Sequence, residues 1–276
     1  MNIQQEEEEK DEEEEEIEED MIVEVDYEEW SGKVAIITGA SAGMGAVISQ
    51  YLVERGMKVV GLSRRIERIE ELSKRLTEQP GKLYAFRCDI SKEEDILRAF
   101  RWIRDNLGPV HVLINNAGLT RPTNLTDGST EDWRKIFDVN VMATCICTRE
   151  AVRIMKDHNI SGQIINMNSV VGHYVPMMTE PLLNVYPASK FAVTALTETL
   201  RQELRYYKSK IKITSISPGV VRTPEYTEGQ DEEDNNSSGM PSLKPEDVAD
   251  AVIYILSTGP NVQVHELTLR PIGEMF

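Results

Sequence analysis

The chain has 276 residues, 40% of them hydrophobic, and a formal net charge of −17. That length and apolar content suffice for one large domain with a substantial core. The charge is concentrated at one end, because residues 1–30 hold 17 of the 47 acidic residues and one of the 30 basic residues. The rest of the chain is close to neutral, which excludes the basic surface typical of nucleic-acid-binding proteins.

The N-terminal sequence MNIQQEEEEKDEEEEEIEED is of low complexity. It has too little apolar surface to offset the entropy lost on ordering, so residues 1–30 are predicted to form a disordered acidic tail. Two interpretations stay open: a solubilising extension, or a docking tail for a basic partner. The tail lacks the basic and apolar regions of a secretory signal, and nothing in the chain approaches the ~20 apolar residues of a membrane span.

The chain has three cysteines, at positions 88, 145 and 147. An odd number at these spacings fits neither a disulfide framework nor a zinc site. We therefore expect reduced core thiols, a cytoplasmic protein and no bound metal.

From residue 32 onward, strand-like and helix-like segments alternate. The predicted strands are KVAIITG, KVVGLS, KLYAFRCD, VHVLINNAG, GQIINMNS, KIKITSISPG and VQVHELTL. Amphipathic patterns such as RIERIEELSKRL and EEDILRAFRWIRDNL lie between them. Continuous apolar strands that alternate with amphipathic helices predict a parallel sheet covered on both faces. The prediction is one α/β domain, residues 31–276, with a seven-stranded parallel sheet.

The first predicted strand runs into the glycine-rich turn TGASAGMG, residues 38–45, which a helical pattern follows. Gly39, Gly43 and Gly45 allow a tight turn and close approach to a pyrophosphate, which the N-terminus of the helix then attracts. This pattern predicts a Rossmann-type, doubly wound domain in which Ser41 and Met44 also contact the cofactor. A purely structural glycine turn is the alternative.

The second predicted strand ends in GLSRR, residues 61–65. An NAD site usually has an acidic residue here for the ribose 2′-hydroxyl. This chain has Ser63, followed by Arg64 and Arg65, and a guanidinium attracts a 2′-phosphate. The sequence therefore favours NADP(H). The alternative, solvated charges at a helix start, applies more to Arg65 than to Arg64.

Two further motifs follow the third and fourth predicted strands. Asp89 could accept a hydrogen bond from the adenine amino group. The sequence NNAG, residues 115–118, has small residues that permit close backbone approach and amides that can tie neighbouring strands together. We expect Asn116, Ala117 and Gly118 to contact the cofactor, although NNAG alone could equally be a turn.

The candidate chemistry lies in NVYPASKFA, residues 184–192. Tyr186 and Lys190 are four residues apart, at the start of a helical pattern, and therefore share one helix face. A charged lysine beside a phenol stabilises the phenolate and lowers the phenol pKa. Pro187 fits the first helical turn if Asn184 caps the helix. The alternative is an ordinary amphipathic surface pair.

Two polar residues precede this pair. Ser169 ends the fifth predicted strand and could bond the same substrate oxygen as Tyr186. Asn140 lies inside a helical pattern, where it could hold a proton-relaying water. A strand terminus and a satisfied core amide are the respective alternatives. His173 is interpreted as structural or pocket-lining rather than catalytic.

Taken together, TGASAGMG, Asp89, NNAG, Asn140, Ser169, YPASK and SPG resemble the short-chain dehydrogenase/reductase family over residues 32–276. Within that family, WSGKVAIITGASAGMGA, VVGLSRR, LTDGSTEDW, CTREA and TALTETLRQELR are most similar to insect farnesol dehydrogenases and the related member-11-type dehydrogenases. The acidic tail is outside the resemblance.

The resemblance implies a catalytic tetrad of Asn140, Ser169, Tyr186 and Lys190, in which the tyrosine is the acid and base. It also implies that SPGVVRT, residues 217–223, wraps the nicotinamide. Within that segment, we expect Gly219, Val221 and Thr223 to contact the cofactor.

The resemblance further implies a substrate lid near residues 224–242. The segments 130–158 and 186–206 resemble the family's dimerisation helices, so we expect a homodimer or homotetramer. The insertion GHYVPMMTEPLLN between Ser169 and Tyr186 leaves the identity of the substrate open.

Two functions follow from these observations. The favoured one is an NADP(H)-dependent alcohol dehydrogenase or carbonyl reductase, acting on an apolar alcohol such as an isoprenoid or a steroid. The alternative is a non-catalytic, cofactor-binding sensor or scaffold that acts through its acidic tail. The presence of all four tetrad residues favours the enzyme.

Overall fold

A computed structural model describes residues 30–177, 183–223 and 241–274. Within these ranges, seven strands form a single sheet: β1 Val34–Thr38, β2 Lys58–Ser63, β3 Lys82–Arg87, β4 Val110–Asn115, β5 Gln163–Met167, β6 Lys212–Pro218 and β7 Glu266–Leu269. All neighbouring strands pair in parallel, in the order β3-β2-β1-β4-β5-β6-β7. The predicted seven-stranded parallel sheet is therefore confirmed.

Seven α-helices connect these strands in the described ranges: α1 Gly43–Glu54, α2 Ile66–Arg75, α3 Glu93–Leu107, α4 Thr130–Phe137, α5 Ala143–Asp157, α6 Tyr186–Tyr206 and α7 Pro245–Ser257. A π-helical turn, Asp138–Met142, joins α4 to α5, and a 3₁₀ turn, Val170–Gly172, follows β5. The strand order reverses between β1 and β4, and such a reversal is where Rossmann-type domains bind dinucleotides.

The sheet has a separate hydrophobic core on each face. Helices α1, α2 and α7 cover one face, and α3, α5 and α6 cover the other. The sequence of strand β1 is continuously apolar because both of its faces are buried. Ala35 and Ile37 pack in the first core, whereas Val34 and Ile36 pack in the second. Successive strand residues point to opposite faces, so a strand covered on both sides needs apolar residues at every position.

The domain begins one residue earlier than the sequence suggested. Trp30, assigned to the acidic tail, is only 8% exposed and packs in the first core. Its indole Nε1 donates a hydrogen bond of 2.8 Å to the Leu256 carbonyl at the end of α7. The boundary was placed too late because one tryptophan after an acidic run carries no periodic signal. Residues 1–29 lie outside the described residues.

Trp30 gives a first prediction. We expect deletion of residues 1–29 to leave the thermal midpoint nearly unchanged. Deletion of residues 1–30 should lower the free energy of unfolding by about 3–5 kcal/mol, because it removes a buried indole and leaves a cavity. Thermal unfolding of the two truncations, which differ by one residue, measures the difference directly. Equal midpoints would contradict the assignment of Trp30 to the core.

Some segments for which the sequence makes predictions lie outside the described residues. Residues 224–240, most of the predicted lid, lie outside them, as do residues 178–182 of the insertion before Tyr186. In the part of the chain that the structure describes, Cys88, Cys145 and Cys147 are free thiols, and acidic, histidine and cysteine side chains form no metal-binding group. None of the described helices is long and apolar enough to cross a membrane.

Candidate active site

The carboxyl ends of the parallel strands meet at one edge of the sheet, where the glycine-rich turn follows β1. Gly39 and Gly43 have φ angles of 71° and 54°, in the left-handed region that favours glycine. This backbone lets the chain reverse within four residues and start α1 at Gly43. The N-terminal N–H groups of α1 therefore lie at the edge where sequence analysis placed the cofactor.

The side chain of Asn116 joins this turn to the end of β4. Its Nδ2 donates to the Thr38 carbonyl at 2.9 Å, and the Asn116 backbone N–H donates to Thr38 Oγ1 at 3.0 Å. A Cβ added to Gly45 would lie 2.5 Å from both Asn116 Nδ2 and the Gly39 carbonyl oxygen. The turn and NNAG thus form one close-packed unit. Sequence reasoning did not identify Thr38, although it is the first residue of the motif.

Gly118, the last residue of NNAG, lies beside two of the predicted tetrad residues. A Cβ added there would have as its nearest neighbours Asn140 Oδ1 and Lys190 Nζ, each 3.9 Å away. The backbone of NNAG therefore connects the glycine-rich turn at one end to the candidate chemical groups at the other.

The end of β2 carries Ser63, Arg64 and Arg65. Arg65 points back to the glycine-rich turn, where its Nε and Nη2 donate to Ser41 Oγ at 3.3 and 3.2 Å. The Arg64 side chain is exposed, and its carbonyl accepts a hydrogen bond from Arg87. Both arginines were predicted to contact the cofactor, with a solvated charge as the alternative, more so at Arg65. The structure brings Arg65 onto the glycine-rich turn, because the chain bends there to begin α2.

Asp89 follows β3 at the same edge of the sheet. Its Oδ1 accepts hydrogen bonds from the Ser91 N–H and hydroxyl, at 3.2 and 2.8 Å. The Asp89 N–H donates to the Asp95 carboxylate at 2.9 Å. These contacts hold the Asp89 carboxylate in place at this edge of the sheet.

Tyr186 is the first residue of α6. Asn184 precedes the helix by two positions, and its φ of 43° is left-handed, so Val185 rather than Asn184 is the capping residue. The expected cap was one position too early. Asn184 Nδ2 instead donates to the Arg121 carbonyl at 2.6 Å, which ties the start of α6 to another loop. Pro187 lies in the first turn, as predicted.

Lys190 is buried, with 6% of its surface exposed, and its Nζ donates to the Met167 carbonyl at 2.9 Å. Burial disfavours the charged ammonium and lowers the pKa of Lys190 to about 8. Nζ lies 5.8 Å from the centroid of the Tyr186 ring. The lysine thus keeps a titratable charge near the phenol, held by a backbone carbonyl.

The expected lowering of the phenol pKa is wrong for this structure. Burial raises the pKa of Tyr186 to about 12, although a hydrogen bond with the Ser169 side chain acts in the opposite direction. The Lys190 ammonium contacts a carbonyl rather than the phenol oxygen, so desolvation dominates. Tyr186 is therefore a neutral phenol near pH 7, able to donate a proton.

Asn140 lies in the π-helical turn between α4 and α5, and is 2% exposed. Its Oδ1 accepts from the Leu119 N–H at 2.7 Å, and its Nδ2 donates to the Leu119 carbonyl and to Ser189 Oγ, at 3.0 and 2.9 Å. Both amide protons are used within the protein. A water bound at Asn140 would therefore have to donate to an oxygen of this residue.

Ser169 follows β5 and caps the 3₁₀ turn, where its Oγ accepts from the Val171 N–H at 3.3 Å. His173, at the end of that turn, has its Nε2 2.9 Å from Ser217 Oγ and 3.4 Å from a Glu266 carboxylate oxygen. These contacts fix His173 to β6 and β7. They agree with its interpretation as structural rather than catalytic.

The predicted nicotinamide segment follows β6. The Gly219 N–H donates to the Leu269 carbonyl at 2.8 Å, and Val221 pairs with Leu243 in an isolated parallel bridge. Thr223 is the last described residue before the gap. Sequence reasoning did not identify Glu274, whose carboxylate is 3% exposed and accepts from the Val220 N–H at 3.3 Å. A glutamate in an irregular C-terminal segment gives no pattern that predicts this contact.

These contacts bring the glycine-rich turn, NNAG and the candidate chemical groups to one edge of the sheet. A side chain at Gly45 would collide with the turn itself, whereas Gly118 has no neighbour closer than 3.9 Å on its Cβ side. A helix N-terminus lies at one end, and Ser169, Tyr186 and Lys190 lie at the other. The phosphate-binding end and the proton-donating end are thus on one edge of one sheet, where Rossmann-type domains bind nucleotides.

The sequence comparison agrees with this geometry. Residues 33–234 match the family described as short chain dehydrogenase. The chain therefore belongs to the short-chain dehydrogenase/reductase family and is an oxidoreductase of that family.

Two curated relatives match nearly their whole length. The farnesol dehydrogenase of Aedes aegypti is 50% identical over 252 residues, which cover 90% of this chain and 100% of the relative. The human dehydrogenase/reductase SDR family member 11 is 47% identical over 255 residues, or 90% of this chain and 97% of the relative. These are the two subfamilies that the sequence motifs resemble.

Solved structures show the same fold. An alcohol dehydrogenase from Thermococcus sibiricus, complexed with 5-hydroxy-NADP, is 27% identical, with a TM-score of 0.75 over 87% of this chain and 97% of that one. The closed form of a serine dehydrogenase, complexed with NADP⁺, is also 27% identical, with a TM-score of 0.77 over 88% and 96% of the two chains.

Proposed function

We propose that this protein is an NADP(H)-dependent dehydrogenase or reductase that interconverts an apolar alcohol and its carbonyl. The observation that carries the proposal is the convergence of Ser169, Tyr186 and Lys190, whose Nζ is one of the two atoms nearest to a Cβ added at Gly118. The Ser169 side chain is close enough to the phenol to act on the pKa of Tyr186, and Lys190 Nζ lies 5.8 Å from the centroid of the phenol ring. A neutral phenol with a serine beside it can bind and protonate a carbonyl oxygen.

NADP(H), when bound, supplies or accepts the hydride at the carbonyl or carbinol carbon. The residues that would hold it lie along this edge of the sheet: Gly39, Ser41, Gly43, Met44, Gly45, Ser63, Arg64, Arg65, Asp89, Asn116, Ala117, Gly118, Tyr186, Lys190, Gly219, Val221 and Thr223. The glycines and the start of α1 would accept the pyrophosphate, and the NNAG backbone would support the nicotinamide side.

In the reductive direction, Tyr186 donates its phenolic proton to the substrate oxygen. Ser169 donates a hydrogen bond to the same oxygen and fixes its position. The nearby Lys190 ammonium stabilises the phenolate that forms, and proton transfer through a water at Asn140 restores the phenol. General acid catalysis of this kind contributes about 10²–10⁴-fold to a rate.

The pKa values predict a pH dependence. The Lys190 ammonium is lost as the pH rises through about 8. The charged form assists reduction, so we expect kcat/KM for carbonyl reduction to be level below that pH and to fall above it. In Lys190→Arg, which retains its charge to about pH 12 and beyond, this fall should move to higher pH. A pH profile of the wild type that stays level to pH 10 would contradict the role of Lys190.

The preference for NADP(H) rests on the end of β2, which has two arginines and no acidic residue between Ser63 and Arg65. The solved relatives that carry NADP in their names support it. Arg65 contacts Ser41 of the glycine-rich turn, whereas the Arg64 side chain is exposed on the same bend. A 2′-phosphate would be recognised by guanidinium groups at this bend.

We expect Arg64→Ala and Arg65→Ala each to weaken NADPH binding by about 10-fold or more, because each removes a charge-assisted contact of about 1.5–3 kcal/mol. NADH, which has no 2′-phosphate, should lose at most about 3-fold. Fluorescence titration of both cofactors measures the ratio. Arg68→Ala, an exposed arginine one turn further along α2, is the matched control. Equal losses for the two cofactors would contradict recognition of the phosphate.

The apolar substrate is supported by two observations. The relatives in the comparison include a farnesol dehydrogenase. In addition, Val175 and Met177, which follow the Ser169 turn, are 64% and 96% exposed. Exposed apolar side chains beside a candidate site favour an apolar ligand. The rates of oxidation of farnesol, a steroid alcohol and glycerol with NADP⁺ test whether the substrate is apolar. If glycerol is the best substrate, the proposal of an apolar substrate is excluded.

We also propose a homodimer or homotetramer in the cytoplasm. Helix α6 exposes Phe191 and Tyr206, and its C-cap residue Tyr207 is also exposed; large apolar side chains on one element favour a protein interface. Light scattering with size-exclusion chromatography measures the number of subunits in the assembly.

The alternative function is a cofactor-binding sensor or scaffold that acts through the acidic tail. Deletion of residues 1–29, which lie outside the described ranges, tests this alternative. If the protein is an enzyme, the deletion should leave turnover unchanged.

A further inference from the structure

A single hydroxyl, that of Thr194, connects the Ser169 turn to the helix that carries Tyr186 and Lys190. Asn168 Nδ2 donates to Thr194 Oγ1 at 2.8 Å, and Thr194 Oγ1 donates to the Gly172 carbonyl at 3.0 Å. Asn168 immediately precedes Ser169, and Gly172 ends the 3₁₀ turn that Ser169 caps. The Thr194 hydroxyl thus binds both ends of the segment that presents the Ser169 hydroxyl.

The packing at Gly172 leaves this segment little freedom to adjust. A Cβ added there would lie 2.7 Å from Asn168 Oδ1 and 2.9 Å from the Lys190 carbonyl. The Asn168 backbone N–H is fixed to the Ile216 carbonyl of β6 at 2.7 Å. The Thr194 bridge therefore joins α6 to a rigid strand end rather than to an open loop.

Thr194 also lies on the same side of α6 as the chemical pair. It is four residues after Lys190 and eight after Tyr186, so the three residues share one face over about 12 Å of helix. Ser169 and Tyr186 lie on separate segments of the chain, so the distance between their hydroxyls depends on how those segments are joined. Lys190 Nζ bonds the Met167 carbonyl just before the Ser169 segment, whereas Thr194 bonds Asn168 and Gly172, the residues on either side of Ser169 within it.

We infer that Thr194, with Asn168, is a positioning residue that sets the Ser169 hydroxyl against Tyr186. This inference rests on the proposed function, because it needs Ser169 and Tyr186 to bind one substrate oxygen. A displacement of about 1 Å between reacting groups lowers a rate by about 10²-fold. The loss of the bridge should therefore reduce kcat and leave cofactor binding unchanged.

The test is a double-substitution cycle on the full chain, with single-turnover reduction of farnesal by NADPH as the readout. We expect Thr194→Val, which keeps the shape and removes the hydroxyl, to slow the step about 10- to 100-fold, with the NADPH Kd unchanged. Thr194→Ser, which retains the hydroxyl, should restore the rate to within about 3-fold of wild type. In a Ser169→Ala background, Thr194→Val should slow the step less than about 2-fold, because groups that act as a unit are not additive.

Thr197→Val is the matched control. Thr197 lies one turn further along α6, accepts from Asn166 Nδ2 at 2.9 Å and donates to the Val193 carbonyl at 2.9 Å. It binds α6 to β5 in the same way but does not contact the Ser169 turn. We expect it to lower the thermal midpoint at least as much as Thr194→Val, with a rate within about 2-fold of wild type.

The inference is overturned if Thr194→Val slows the step equally in the wild-type and Ser169→Ala backgrounds, or if Thr197→Val slows it as much as Thr194→Val. If Thr194→Val does not fold, Asn168→Ala breaks the same bridge from the strand side and enters the same cycle. Turnover that is unaffected by Ser169→Ala would contradict the proposed function and the bridge together. Additive effects would contradict only the bridge.

Discussion

Replacement of Tyr186 by phenylalanine should reduce turnover by about 10²–10⁴-fold, because it removes the group that donates and accepts the proton. The substitution removes one oxygen from a half-buried side chain whose phenol contacts Ser169. The ring stays, so the fold and the NADPH affinity should be retained. Steady-state turnover and a fluorescence titration of NADPH measure the two properties on one sample.

Tyr254→Phe is the control for this substitution. Tyr254 lies on α7, is 55% exposed and is remote from the site, so the same chemical change there should leave turnover unaltered. Near-normal turnover of Tyr186→Phe would exclude Tyr186 as the acid and base. Loss of NADPH binding in the same variant would indicate a structural role instead.

Gly45→Ala should impair both stability and cofactor binding. The new Cβ would lie 2.5 Å from Asn116 Nδ2 and from the Gly39 carbonyl, far inside van der Waals contact. Relief of this overlap requires the glycine-rich turn to move away from NNAG. We expect the free energy of unfolding to fall by about 1–3 kcal/mol, the usual effect of overpacking. NADPH affinity should fall by more than about 10-fold because the turn is displaced.

Gly259→Ala is the matched control for Gly45→Ala. A Cβ at Gly259 would meet nothing within 4 Å, and its φ is not in the left-handed region. Thermal unfolding with and without excess NADPH separates the two effects, since a ligand that binds only the folded state stabilises it by an amount that grows with the logarithm of its concentration divided by its Kd. Wild-type stabilisation of Gly45→Ala by NADPH would contradict the assigned role of the turn.

The sheet could be predicted from the sequence because each strand is covered on both faces and is therefore apolar at nearly every position. The alternation with amphipathic helices then leaves few topologies. The candidate site, which remains a prediction, rests on two local rules. Tyr186 and Lys190 share a helix face at a spacing of four, and the glycine-rich turn lies between a strand and a helix. Local spacing thus predicted the helices and the turn on which the candidate site residues lie.

The predictions that failed depend on tertiary contacts. The place of Trp30 in the core is decided by the end of α7, which is more than 200 residues away in sequence. The cap of α6 is Val185 rather than Asn184, whose side chain instead bonds the Arg121 carbonyl in another loop. The high pKa of Tyr186 is a consequence of burial, which the spacing of the tyrosine and lysine does not report. In each case, the residue type was informative, but its partner was not adjacent in the sequence.

The most direct test of the proposed function is oxidation of NADPH and of NADH by the purified protein, over a panel of isoprenoid, steroid and small dicarbonyl substrates. We predict turnover with NADPH and an isoprenoid or steroid carbonyl, at a kcat/KM at least about 10-fold above that with NADH, because the 2′-phosphate adds a charge-assisted contact. Tight NADPH binding without turnover of any substrate in the panel would contradict the proposal that NVYPASKFA carries a working acid and base.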